Sequence, residues 1–174
     1  MKLYKRLFTI IFLSFFVETS VQAELPHFID FKFILNNSDA GKKAQKTLKN
    51  KLDTGFKNLK DKETKILEEE KKIIQQKKIL SQEEYKKQVN TLREKVSSLQ
   101  KERSSLVNKI SKQRAKARNE LLKNLNPIIK EYMQEKKIRM VIDKKSLLLA
   151  DENLDITKEI MLRLNKKLKS IKLN

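Results

Sequence analysis

Cysteine and tryptophan are absent from the 174 residues, and glycine, proline and histidine number two, two and one. Each shortage closes off a class of chemistry. Without cysteine there is no disulfide framework, no thiolate nucleophile and no lipid-modified cysteine to anchor the chain. The single histidine, His27, has no recognisable triad partner, and metal sites built on Cys or His pairs are excluded by count. Two glycines make neither a phosphate-cradling loop nor a dinucleotide fingerprint. No enzyme activity, cofactor or metal is therefore expected. Asp30, Asp143, Asp151 and Asp155 flank short aliphatic runs and read as turn and capping residues. Aromatic residues make up only 6%, which with so little Gly and Pro suits long helices better than sheets.

What the chain has in excess is positive charge: 41 basic against 22 acidic residues. Residues 42–126 alone hold 25 basic and 11 acidic side chains, a balance of +14 that divides as +7 on each side of Ser81. A Glu/Lys-rich surface is ordinary on a coiled coil. A surplus this one-sided repels itself and implies an anionic partner.

The same stretch carries the clearest periodicity. Leu52, Leu59, Ile66, Ile73 and Leu80 recur every seventh residue. Beyond a break at Leu80-Ser81-Gln82-Glu83-Glu84, Tyr85, Val89, Leu92, Val96, Leu99, Leu106 and Ile110 follow a four-three spacing interrupted by Arg103. Such a/d seams need a partner helix. Ser81 with Glu84 reads as a capping box that starts a second helix. The two halves are thus expected to zip into an antiparallel hairpin with its turn near residue 81. Facing positions then sum to roughly 162, which sets Leu52 opposite Ile110 and brings Glu63 near Arg103.

Residues 1–23 read as a secretory signal peptide: Lys2, Lys5 and Arg6, then the apolar run Leu7 to Val17, then Val21-Gln22-Ala23. An uncleaved anchor is the alternative, and either places the remainder outside the inner membrane. Residues 24–41 supply a strand around Leu25–Asp30, beginning at Pro26, and a short helix from Phe31; Ser38 or Asp39 caps the first arm. Residues 42–126 form the arms. Residues 127–174 complete the body: a helix end bent near Pro127, strands over Ile138–Asp143 and Leu147–Ala150, and a last helix capped by Asp155 or Thr157 with Ile156, Ile160, Leu164 and Leu168 on one face. The fold class is mainly α with a small β base (α+β), the long coiled-coil hairpin being inserted into a strand-plus-helix body.

This order of segments resembles the Skp/OmpH family of periplasmic chaperones over the whole mature chain. The likeness rests on Phe28-Ile29-Asp30 leading to Ser38-Asp39-Ala40-Gly41-Lys42-Lys43-Ala44-Gln45, on the turn at Leu80–Glu84, on Met140-Val141-Ile142-Asp143, and on Leu148-Leu149-Ala150-Asp151 through Leu154-Asp155-Ile156-Thr157. Phe31-Lys32-Phe33 is more aromatic than the family pattern. The resemblance implies a jellyfish-like homotrimer and an ATP-independent holdase that keeps unfolded outer-membrane β-barrel proteins soluble in the periplasm. A base with few strands, open edges and a small core independently calls for pairing with other subunits.

On that reading, contact with an unfolded chain is spread over the arms. Lys60, Lys65, Lys71, Lys72, Lys86 and Lys87 supply a summed field, and Leu67 and Ile74 either add weak apolar contacts or simply broaden the core stripe. Anionic lipid or lipopolysaccharide headgroups are further partners open to the same lysines. Phosphate neutralisation also makes a basic nucleic-acid-binding helical protein an alternative, but export argues against physiological nucleic acid. A structural coiled-coil adaptor of the envelope is the other alternative; it favours an apolar tip, whereas Lys77 to Gln88 is polar and lysine-rich.

Overall fold

A computed structural model describes residues 25–173; the signal-peptide expectation for residues 1–23 lies outside the described residues. The chain runs through β1 (His27–Ile29), α1 (Phe31–Asn37), α2 (Asp39–Gln76), α3 (Gln82–Lys136), β2 (Val141–Asp143) and α4 (Thr157–Lys167). No described helix is long and apolar enough to cross a membrane.

Polar side chains set most of the helix starts. The Asp30 carboxylate accepts from Phe33 N at 2.7 Å and opens α1. About two helical turns later Ser38, fully buried, accepts from Gly41 N at 3.2 Å and opens α2. Ser81 and Glu84 form the reciprocal capping box of α3, each satisfying an N–H that the helix leaves unpaired. At α4 the Asp155 carboxylate accepts from Thr157 N, while Thr157 Oγ1 accepts from Asp30 N across the body. α3 passes through Pro127 without interruption and ends at Lys137, which takes a left-handed conformation with φ 56°.

The two strands pair in parallel, with His27 beside Val141, Phe28 beside Ile142 and Ile29 beside Asp143. Parallel neighbours need a crossover, and here the crossover is the whole hairpin. Beneath the strands α1, the end of α3 and α4 converge on Ile29, Ile34, Leu125, Ile128, Ile160 and Leu164, all at most 2% exposed. A second cluster sits at the root of the arms, where Ala44, Leu48, Ile110 and Ala117 are joined by Leu173.

Gly41 stands where α2 leaves the body. A Cβ there would lie 2.1 Å from the carbonyl oxygen of Leu35, so only glycine lets the backbones approach this closely. Gly41→Ala gains helix propensity but forces that backbone apart; a net loss of ~2 kcal/mol is expected in urea unfolding.

The hairpin register matches the seam arithmetic. Leu52 packs with Ile110 in the root cluster, and Arg103 meets Glu63 at 3.6 Å. A cysteine pair at Leu52 and Ile110 should therefore crosslink within one chain; preferential crosslinking of position 110 to position 66, or between chains, would refute this register.

One expectation fails. Leu147–Ala150 is not a strand: a 3-10 turn at Lys144–Ser146 precedes it and another at Glu152–Leu154 follows. The Asp143 and Asp151 carboxylates hold those turns by accepting from Lys145 N and Asn153 N. Between them Leu148 and Leu149 are 99% and 91% exposed, because among the described residues no strand lies beside them. The preceding run is also shorter than its aliphatic stretch, with only Val141–Asp143 in the ladder.

Candidate binding surface of the helical arms

The arms are one helix pair thick. Along the shaft Leu59 and Leu99 are buried, whereas Ile66, Ile73, Val89 and Leu92 are only half-covered, so the seam holds the helices together but cannot enclose anything. What distinguishes the shaft is the difference between its two faces.

One face is closed by ion pairs. Lys62 meets Glu102 at 2.5 Å and Lys95 meets Glu69 at 2.6 Å. The residues of each helix involved are seven apart, hence two turns along the same side. Towards the tip this face holds a shallow groove of about 500 Å³, where Lys72 and Lys87 mix with Glu69 and Glu84. All of these pairs are exposed, and each contributes little to stability.

The Glu63–Arg103 pair marks the other face. Phe56 lies seven residues before Glu63 and Leu67 four after; Val96 lies seven before Arg103 and Val107 four after. Whole-turn spacings put all four beside that ion pair. Antiparallel register then sets Phe56 opposite Val107 and Leu67 opposite Val96. Ile74, seven beyond Leu67, continues the row opposite Val89. Phe56, Leu67, Ile74, Val96 and Val107 are 41–61% exposed, so they form a ladder of apolar rungs open to solvent. Leu67 and Ile74 are thus outside the core stripe.

The six lysines singled out from the sequence are all exposed, and among the described residues none joins a salt bridge. They are not gathered at one point. Lys60 and Lys71 follow Phe56 and Leu67 by one turn and flank the apolar row, whereas Lys65 and Lys72 follow Lys62 and Glu69 by three and belong to the ion-paired side. Lys86 and Lys87 sit near the tip. Phe56, Val96 and Val107 were not singled out; their signal is the eleven-residue spacing, three helical turns, that relates Phe56 to Leu67 and Val96 to Val107.

At the root the faces differ again. On the ion-paired side the segment after α4 runs back along the arms: Leu173 seats in the Ala44/Leu48/Ile110/Ala117 cluster, its carbonyl accepts from Lys51 Nζ at 2.9 Å, and Lys169 meets Asp39 at 3.2 Å. On the apolar side the root stays open as a groove of about 790 Å³, floored by Leu48, Leu52, Ala117 and Leu121. Lys49 and Arg114 on its walls lie seven residues from Phe56 and Val107, so groove and ladder are continuous.

Two carboxylates have lowered pKa values. Glu84 is lowered by the Ser81 side-chain hydrogen bond first and then by the Ser81 backbone N–H. Glu135 is lowered by the Arg163 guanidinium, which meets both its oxygens at 2.9 and 2.6 Å and lies 4.8 Å from the Tyr132 ring. A depressed folded-state pKa stabilises the fold above the ordinary carboxylate range and loses that contribution as pH falls through the folded value. Ser81→Ala should raise the Glu84 pKa and fray the first turn of α3, which carboxyl NMR titration would detect. Among the described residues no cluster of His, Asp or Glu is arranged to hold a metal, and His27 Nδ1 is buried without a partner.

A small α+β body thus projects one long antiparallel helical hairpin whose two faces differ. Residues 27–164 match the family described as outer membrane protein, OmpH-like, and the chain belongs to that family. It is also similar in fold to the crystal structure of an OmpH-like protein from Caulobacter crescentus CB15, described there as a candidate outer membrane chaperone. That likeness has a TM-score of 0.80 and 22% sequence identity, covering 87% of this chain and 90% of that one. No curated protein matches the chain in sequence.

Proposed function

We propose that this protein is an ATP-independent periplasmic holdase that binds unfolded outer-membrane β-barrel proteins between its basic arms and prevents their aggregation. Its reading as a chaperone rests on family membership; the observation that carries the mechanism is the apolar row bordered by unpaired lysines. An unfolded barrel protein presents alternating apolar and polar residues. The lysine field speeds encounter, and Phe56, Leu67, Ile74, Val96 and Val107 offer contacts that tolerate many sequences. No contact demands a particular residue, as a protein with many clients requires.

The assembly proposed is a homotrimer joined through the bodies. The exposed Leu148 and Leu149, beside a two-stranded sheet with open edges, are the natural interface. A signal peptide over residues 1–23 would deliver the chain to the periplasm. Lipopolysaccharide and anionic lipid are secondary partners for the same lysines, with no physiological role for nucleic acid.

The test is light scattering after dilution of several unrelated urea-unfolded barrel proteins. Stoichiometric suppression without nucleotide is expected. One observation favours the envelope-adaptor reading: Ile79, 84% exposed at the turn, gives the tip an apolar point. If Ile79→Ser abolished tight binding of one folded partner while aggregation went unsuppressed, the adaptor reading would replace the holdase.

A further inference from the structure

The root groove differs from the tip groove in one respect: its lining carries Lys42, Lys46, Lys49, Arg114 and Arg118 and no acidic residue, whereas Glu69 and Glu84 line the tip groove. Among the described residues none of these five forms a salt bridge. Elsewhere the arms neutralise part of their charge across the seam; here two cationic walls face each other over an apolar floor. Lys42 and Lys49 stand about 10 Å apart along one wall and Arg114 and Arg118 about 6 Å apart along the other.

We infer that this groove is a retention site for an extended polypeptide segment in which apolar and acidic residues alternate, an inference that rests on the holdase reading. In an extended chain every second side chain faces the same way, with a repeat of about 7 Å. That repeat is close to the Arg114–Arg118 spacing. Apolar residues then reach the half-buried Leu35 and Leu52, and the intervening carboxylates point up to the heads of the long cationic side chains, whose stems line the walls. From Lys42 to Leu52 the arm rises about 15 Å, which accommodates about five extended residues. A single-chain anionic amphiphile would cover the floor but place its charge at one end, leaving most of the cations unmatched. The shaft captures and the root retains: field strength sets the association rate, and the groove sets the dissociation rate.

The probe is a fluorescein-labelled peptide of alternating valine and glutamate, about ten residues long, followed by anisotropy and by stopped-flow displacement with unlabelled peptide. Two full-chain variants with equal charge loss are compared: Lys42, Lys49, Arg114 and Arg118 all to Gln, and Lys130, Lys136, Arg139 and Lys166 on the body all to Gln. All eight side chains are exposed, so both variants should fold. The root variant is expected to release the peptide about tenfold faster with its association rate changed at most about twofold beyond the body variant. A valine–glutamine peptide should bind wild type at least about tenfold more weakly.

Equal release from both variants, or equal binding of the glutamine peptide, would overturn the inference. So would a root variant that holds the peptide normally but no longer binds phosphatidylcholine vesicles containing phosphatidylglycerol, because the groove would then be a lipid site. Peptide retention and aggregation suppression are read separately. A protein that suppresses aggregation with an indifferent root loses only this inference, and one that suppresses nothing loses the holdase reading whatever the peptide does.

Discussion

Reversing Lys60, Lys65, Lys71, Lys72, Lys86 and Lys87 to Glu together is expected to slow capture of an unfolded barrel protein by about 10- to 100-fold and to flatten its salt dependence. The six changes remove twelve units of charge, taking residues 42–126 from +14 to +2. The effect is collective. These side chains are exposed and lie on both faces, and charges more than about 10 Å apart are largely screened at 0.1 M salt. Lys72→Ala or Lys86→Ala alone should therefore leave affinity almost unchanged. Stopped-flow binding at two ionic strengths reads the rate, and sedimentation serves as the control, since trimer contacts are assigned to the body. A single shaft lysine whose loss abolished capture would mean a discrete site there, contrary to a distributed field.

Leu148→Asp together with Leu149→Asp is expected to leave the chain monomeric by removing the contacts of the proposed trimer. Both side chains are almost wholly exposed in one chain, so the helical content of the protomer should survive. Burying a leucine contributes ~1.5–3 kcal/mol, and threefold symmetry repeats the loss at each interface, on the order of 10 kcal/mol in all. Sedimentation velocity over micromolar concentrations decides it. A variant that stays trimeric would mean the interface lies elsewhere; a monomeric wild type would remove the trimer altogether.

These two expectations draw on unequal parts of the sequence. The hairpin was legible because each seam repeats over several heptads and because Ser81 and Glu84 punctuate it with a specific motif. The cross-arm contacts Lys62–Glu102, Lys95–Glu69 and Glu63–Arg103 sum to 164, 164 and 166, two to four above the expected 162. The body was less legible. Leu147–Ala150 has the composition of a strand, but a strand needs a neighbour, and among the described residues none provides one. The exposed status of Leu67 and Ile74 was undecidable from a period close to that of the seam, because a broadened core stripe and a flanking row differ only in their angle around the helix. The face asymmetry, the open root groove and the seating of Leu173 depend on how two distant helices and the segment after α4 meet, and no local window contains all three.

Site-specific photocrosslinking of captured barrel proteins tests the two-faced arm most directly. A benzophenone side chain placed at Phe56, Leu67 or Ile74 on the apolar row should give adducts with several unrelated clients. The same group at Gln76 or Thr91, which line the tip groove on the ion-paired face, should give few. Equal yields from both faces, or adducts confined to Gln76 and Thr91, would contradict capture on the apolar row.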